Sequence, residues 1–233
     1  MNKKLLITAL VLLTLNFAYG QDANNPIDPN PTFGLFNRFY SDNESRLQFL
    51  ANVTYGKWFL RFTAEYEFNY NNEPGYSSIV LDDGKEINEN HFSSTNILVA
   101  RTFKSKDGNH SFGVGGVVSY LHERRFAGGL NFVSVSKVNG WRYISLVTLQ
   151  AGKETFLMEF QPGIYRDFNN GWYFRSHPRM LFNFETGNNE IPIGAGIGKI
   201  FKNGTPVVNV FLEPQYDLAN DVIMLYAGVK TLF

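Results

Sequence analysis

The chain is predicted to be all-β, a closed antiparallel transmembrane β-barrel of about twelve strands, with ten as the smaller alternative. Three observations predict it. Hydrophobic side chains recur at every second residue over unusually long runs. An export signal opens the chain, and an aromatic residue closes its last run.

The period-two pattern is clearest from Leu60 to Tyr70. Leu60, Phe62, Ala64, Tyr66, Phe68 and Tyr70 alternate with Arg61, Thr63, Glu65, Glu67 and Asn69. Successive side chains of a strand point to opposite faces, so one face is apolar and the other polar. The run lasts 11 residues. A strand crossing a bilayer takes about 9–11 residues, whereas strands in soluble proteins centre on about 5–6. Leu47, Phe49, Ala51, Val53 and Tyr55 form the stripe before it, with Leu50 the exception on the other face. Gly56-Lys57 joins the two runs as a hairpin turn.

The same grammar recurs along the chain. Phe112 to Tyr120, Trp141 to Leu149, Trp172 to Phe184, Ile191 to Ile197, Val208 to Tyr216 and Ile223 to Phe233 each carry an alternating stripe. The stretch Leu130 to Val138 is less regular, because Val133 and Val135 oppose a face holding Leu130, Phe132 and Val138. Strands are expected at 33–40, 45–55, 58–70, 91–104, 110–121, 128–138, 141–151, 154–165, 171–184, 190–201, 206–217 and 222–233. With both termini on the periplasmic side, connections alternate outside and inside. The one long connection, 71–90, then falls outside, where long loops belong, and the inner turns are all short.

The export signal occupies residues 1–20. Lys3 and Lys4 precede an apolar run from Leu5 to Leu15, and Ala18 and Gly20 give a small-x-small site for cleavage near Gly20. That run is too short for a membrane anchor, which needs about 20 apolar residues. Residues 21–31, rich in Asn and Pro, read as a flexible lead-in. The barrel is expected over 32–233. The final stripe ending in Phe233 resembles the C-terminal signal that barrel-assembly machinery reads, so that machinery and the outer-membrane lipid bilayer are the expected partners.

Composition narrows the function. The absence of cysteine excludes disulfides, thiolate metal sites and cysteine nucleophiles. Loss of Lys3 and Lys4 with the signal leaves 19 basic against 21 acidic residues, a formal charge of −2. That is no footprint for nucleic acid. The 16% aromatic content and 21 glycines suit aromatic girdles and tight turns. Mean hydropathy is slightly negative, as expected where only alternate residues meet lipid.

Within lipid every backbone amide must be paired inside the protein, so long one-sided strands must close on themselves. The polar face then turns inward. Arg61, Glu65, Glu67, Glu159, Gln161, Tyr173, Arg175, His177 and Arg179 are the candidate lumen-lining residues. Charges in so narrow an interior must pair in part. Gly194, Gly196 and Gly198 share one face of their strand and are expected to leave room for Tyr173, Arg175, His177 and Arg179 next door. A phosphate-binding loop does not fit, because Ile193 occupies its first glycine and Ile200 its Ser/Thr.

The segment 156–217 carries Phe160-Gln161-Pro162, Asn170-Gly171-Trp172-Tyr173, Phe184-Glu185, Ile191-Pro192-Ile193-Gly194, Gly198-Lys199-Ile200-Phe201 and Pro206-Val207-Val208-Asn209. It resembles a family of putative outer-membrane transporters, some carrying the misleading label "neuromedin U", related to a phenol-degradation-pathway barrel family. The resemblance implies an outer-membrane barrel with a transport role and supplies no catalytic residues.

An enzymatic reading rests on His91-Phe92-Ser93. A His and a Ser two apart on a strand face the same way, which would let the imidazole polarise the hydroxyl, as some outer-membrane lipid hydrolases require. The Asn that follows such a serine is Ser94 here, so His91 and Ser93 are weak candidates. No His, Asp and Glu cluster has metal-ligand spacing, and no metal or cofactor is expected. The sequence therefore predicts an exported outer-membrane barrel acting as a passive channel for small solutes. A lipid hydrolase and an adhesive barrel acting through the loop 71–90 are the alternatives.

Overall fold

A computed structural model describes residues 23–27, 30–69, 90–122, 125–202 and 206–233. The loop 71–90, apart from Asn90, lies outside the described residues, as does the signal segment 1–20.

The first eight strands follow the hydrophobic alternation directly. They are β1 (Thr32–Tyr40), β2 (Glu44–Tyr55), β3 (Trp58–Asn69), β4 (His91–Lys104), β5 (His110–Leu121), β6 (Arg125–Val138), β7 (Trp141–Gly152) and β8 (Thr155–Asp167). Short strands follow: β9 (Trp172–Ser176), β10 (Met180–Asn183), β11 (Asn189–Glu190), β12 (Pro192–Gly194) and β13 (Gly196–Phe201). The chain ends with β14 (Val207–Asp217) and β15 (Val222–Leu232).

Every neighbouring pair is antiparallel, and β1 pairs β15 from Thr32↔Leu232 to Tyr40↔Met224. The sheet thereby closes. β9 and β10 lie in line against β8 in one unbroken register, from Tyr165↔Arg175 to Phe160↔Met180. β11, β12 and β13 share the next stave, between these and β14. The result is a closed barrel of twelve staves, the predicted number.

Two predicted strands differ in being interrupted. The spans 171–184 and 190–201 are broken between Ser176 and Met180 and around Pro192 and Ala195. Proline lacks the amide proton that a ladder needs. Continuing the register between Ile164↔Ser176 and Phe160↔Met180 sets Pro162 opposite Pro178, so neither can donate to the other.

The apolar stripes face outward. Leu60, Phe62 and Tyr66 on β3, Val114 and Val118 on β5, and Ile193 and Ile197 on the tenth stave are all exposed. Outward aromatic pairs ring both ends: Phe103 stacks on Phe112 at 5.1 Å near the short turns, and Phe156 meets Phe184 at 5.0 Å at the other end. The irregular β6 is explained by the same geometry. Leu130, Phe132 and Val138 face out, while Val133 and Val135 are buried inside.

The interior departs from the expected polar lumen. In the half nearer the short turns, Phe36, Leu50, Phe59, Val117, Val133, Ile144, Leu146, Tyr165 and Phe211 form one continuous apolar cluster. The outward face must be apolar, but the inward face is free to be either, and here half of it packs as a core. Leu50, an interruption in the sequence pattern, belongs to this cluster. The lead-in expected to be flexible packs there too. Ala23, Asn24, Ile27 and Asn30 are buried, and Asn209 Nδ2 donates to Asn24 Oδ1 at 3.0 Å. An apolar interior gives Ile27 a place to bury, which its Pro- and Asn-rich surroundings do not reveal.

Candidate functional site

The opposite half of the interior is a chamber. Its volume is about 300 Å³, and it opens toward the end carrying the 71–90 connection. Rim residues such as His122, Glu154, Asn188 and Asn220 come from the connections β5–β6, β7–β8, β10–β11 and β14–β15. Below it, the space narrows to a cavity of about 20 Å³ beside Arg61, Thr63 and Thr148, and then meets the apolar cluster.

One side of the chamber is ionic. Arg46 on β2 lies 3.2 Å from Glu67 on β3 and 2.5 Å from Glu190 on β11. Arg179 lies 2.6 Å from Glu65 and 3.1 Å from Glu159. Gln48 Nε2 donates to Glu65 Oε2 at 3.1 Å. These groups are nearly all buried, so each charge is costly unless paired, and each pair spans two staves. The network ties β2, β3 and β8 to the interrupted ninth and tenth staves.

The other side is neutral. Ser119 on β5 donates to Asn96 Oδ1 on β4 at 2.5 Å and contacts Gln150 Oε1 on β7. Asn96 Nδ2 donates to Thr63 Oγ1 at 3.2 Å. Period-two alternation places all of these inward.

A second ionic group sits deeper. Arg175 Nε lies 2.5 Å from Glu213 Oε2, and the guanidinium stacks 3.5 Å from the centre of the Phe211 ring. Glu213 Oε1 accepts from the His177 amide at 2.9 Å and from Gln215 at 2.8 Å. Tyr173 Oη donates to Asn209 Oδ1 at 2.6 Å, and Tyr165 Oη bonds His177 Nδ1 at 2.6 Å. This cluster belongs to the packed core rather than to open space.

The nine predicted lumen residues therefore divide. Glu65, Glu159 and Arg179 line the chamber, and Glu67 supports it through Arg46. Arg61 flanks the small cavity, and Gln161 contacts Glu159. Tyr173, Arg175 and His177 are locked in the core. Sequence reasoning missed Arg46, Glu190, Asn96, Gln150 and Glu213. Arg46 and Glu67, and Asn96 and Thr63, face each other across neighbouring strands, whereas Arg46 and Glu190 are 144 positions apart and meet across the interior of the closed barrel.

The glycine expectation holds at one position for the reason given. A Cβ on Gly198 would stand 2.1 Å from Tyr173 Cζ. At Gly194 and Gly196 it would instead strike the β14 backbone, 2.3 Å from the Pro214 oxygen and 2.0 Å from that of Leu212.

The strict alternation is broken between His91 and Ser93, although Ser93 still lines the chamber. Glu65 pairs with Ser94 and Tyr66 with Phe92, so Ser93 is the extra residue of a β-bulge. His91 is buried with its ring 4.4 Å from that of His122, and Ser94 is buried inward while Ser93 lines the chamber beside it.

Closure, strand number and antiparallel order define the class of fold, a closed antiparallel β-barrel of twelve staves. Among solved structures the chain is similar to the KdgM porin, alone and in complex with disordered oligogalacturonate. Each comparison gives a TM-score of 0.56 at 7% identity over 87% of this chain and 99% of that one. It is also similar to the β domain of the Bordetella autotransporter BrkA, with a TM-score of 0.47 at 11% identity over 88% and 99% of the two chains. No protein-family model matches the sequence, and no curated protein matches it significantly.

Proposed function

We propose that the chain is an exported outer-membrane barrel that admits small polar solutes at its chamber and passes them inward when the lower half rearranges. The observation that carries this is the chamber itself: about 300 Å³ of space walled by inward polar groups, within a shell whose outward face is apolar. A volume of this size is at the lower end of small-molecule sites. The fold likeness to a porin and the resemblance of 156–217 to putative transporters support the same reading. Phe233 serves assembly, and cleavage falls near Gly20.

The apolar cluster, residues 23–27 and Asn30 make the resting state closed. Purified mature barrel in planar bilayers should give brief, discrete openings at low probability. Permanent silence, with and without the lead-in, would remove the conduit reading. The hydrolase reading gains no support from the bulge at Ser93. The adhesive reading rests on the loop 71–90, and deleting that loop should leave the conductance events in place.

A further inference from the structure

We infer that the chamber binds a neutral, polyhydroxylated solute of mono- or disaccharide size. This deepens the conduit reading, since it names what the entry compartment would hold.

Charge decides the class first. Four carboxylates and three guanidinium groups border the chamber, and the buried ones are committed to each other. Arg46 is shared between Glu67 and Glu190, and Arg179 between Glu65 and Glu159. An entering anion would meet the carboxylates and find both buried arginines occupied. A cation would find each of these carboxylates already ion-paired, with Arg61 beside Glu159 and Arg38 near Glu65 bringing four guanidinium groups against the four carboxylates. Arg125 at the rim reaches the carbonyls of His122 and Glu154, each at 3.4 Å. Specificity by charge therefore has little to act on, because a charged ligand would have to break a buried pair and strand one of its partners.

Hydrogen bonding decides the rest. A primary amide carries two N–H donors and a carbonyl with two lone pairs. Asn96 uses one donor on Thr63, and Gln150 one on Thr148 at 3.4 Å. Each therefore keeps a donor for the chamber next to its carbonyl oxygen, and the single Ser119 hydroxyl proton goes to only one of the two oxygens, leaving the other open to accept. A donor and an acceptor held side by side suit a hydroxyl, which both donates and accepts. Leu121, Leu157 and Leu181 add apolar surface between the polar groups, which suits the C–H face of a sugar ring. A fatty acid or lipid tail would leave the amides unsatisfied, which disfavours it.

The test is isothermal titration of the full mature barrel in detergent with sucrose, digalacturonate and putrescine as probes. Sucrose should bind, equally at low and high salt, and the two charged probes at least about tenfold more weakly. Replacing Gln150→Leu should weaken sucrose about tenfold, since losing one buried hydrogen-bond partner costs on the order of 1.4 kcal/mol. Asn96→Leu serves if Gln150→Leu does not fold, and the comparison of the three probes on the unaltered barrel stands without either. No sucrose binding, or tighter binding of digalacturonate or putrescine, overturns the inference. Sucrose binding by a barrel that never conducts would instead overturn the conduit reading and leave this one intact.

Discussion

Arg175 shows how a single side chain holds the barrel's interior. It sits in a box of Phe211, Tyr226 and Tyr165 and neutralises Glu213, which is wholly buried. Removing one partner of such a pair strands the other charge, at about 3–5 kcal/mol. Arg175→Ala should therefore lower the urea midpoint of the refolded barrel sharply. The double change Arg175→Met with Glu213→Leu should restore most of it, because apolar groups of like volume replace the pair. A loss that adds across the two sites would show that the pair is not the unit. None of this was legible beforehand. Arg175 reads as an inward polar residue from alternation alone, but Glu213 is 38 positions away and its stave is next but one from β9. The alternation gives the direction of a side chain, and only the packing of the interior gives its neighbour.

At the scale of elements the sequence is far more informative. Outward residues must be apolar along the whole crossing, so strands and their faces appear as stripes, and observed bounds fall within a few residues of the expected ones. The turns are readable for a different reason. Asn139 and Gly140 have φ of 51° and 79°, the paired positive values of a type I′ hairpin, which Asn-Gly tolerates better than other pairs. Asn139→Ala should cost about 1 kcal/mol, measured as a lower midpoint in reversible unfolding into urea, since other residues pay about 1–2 kcal/mol for the left-handed region. An unchanged midpoint would mean that β6 and β7 set the turn rather than the reverse. What misled the reading lay on the inward face. Leu50, Ile144 and Leu146 look like noise in the stripe because nothing requires the interior to be polar. Pro178 was plain in the sequence, yet the surrounding alternation hid its effect.

For the whole molecule, the decisive property is that one half is a vessel and the other a solid core. The twelve-stave count and the direction of the 71–90 connection follow from the sequence, but the filling of the lower half does not. Residues 23–27 are part of that filling, with Asn24 bonded to Asn209 and Ile27 joined to the apolar cluster. Deleting 21–31 from the mature chain should raise opening probability severalfold in planar bilayers, and unchanged gating would place closure in the wall residues alone. The facing prolines carry a separate consequence. Where Pro162 meets Pro178, and again at Pro192, the hoop has gaps in its main-chain bonding, so the ion pairs of Arg179 and Arg46 act as rivets across the joint. A hoop under strain parts at its joint. Hydrogen–deuterium exchange should therefore reach the backbone flanking 160–164 and 176–180 before any other mid-wall position, and Arg179→Met should hasten it there alone.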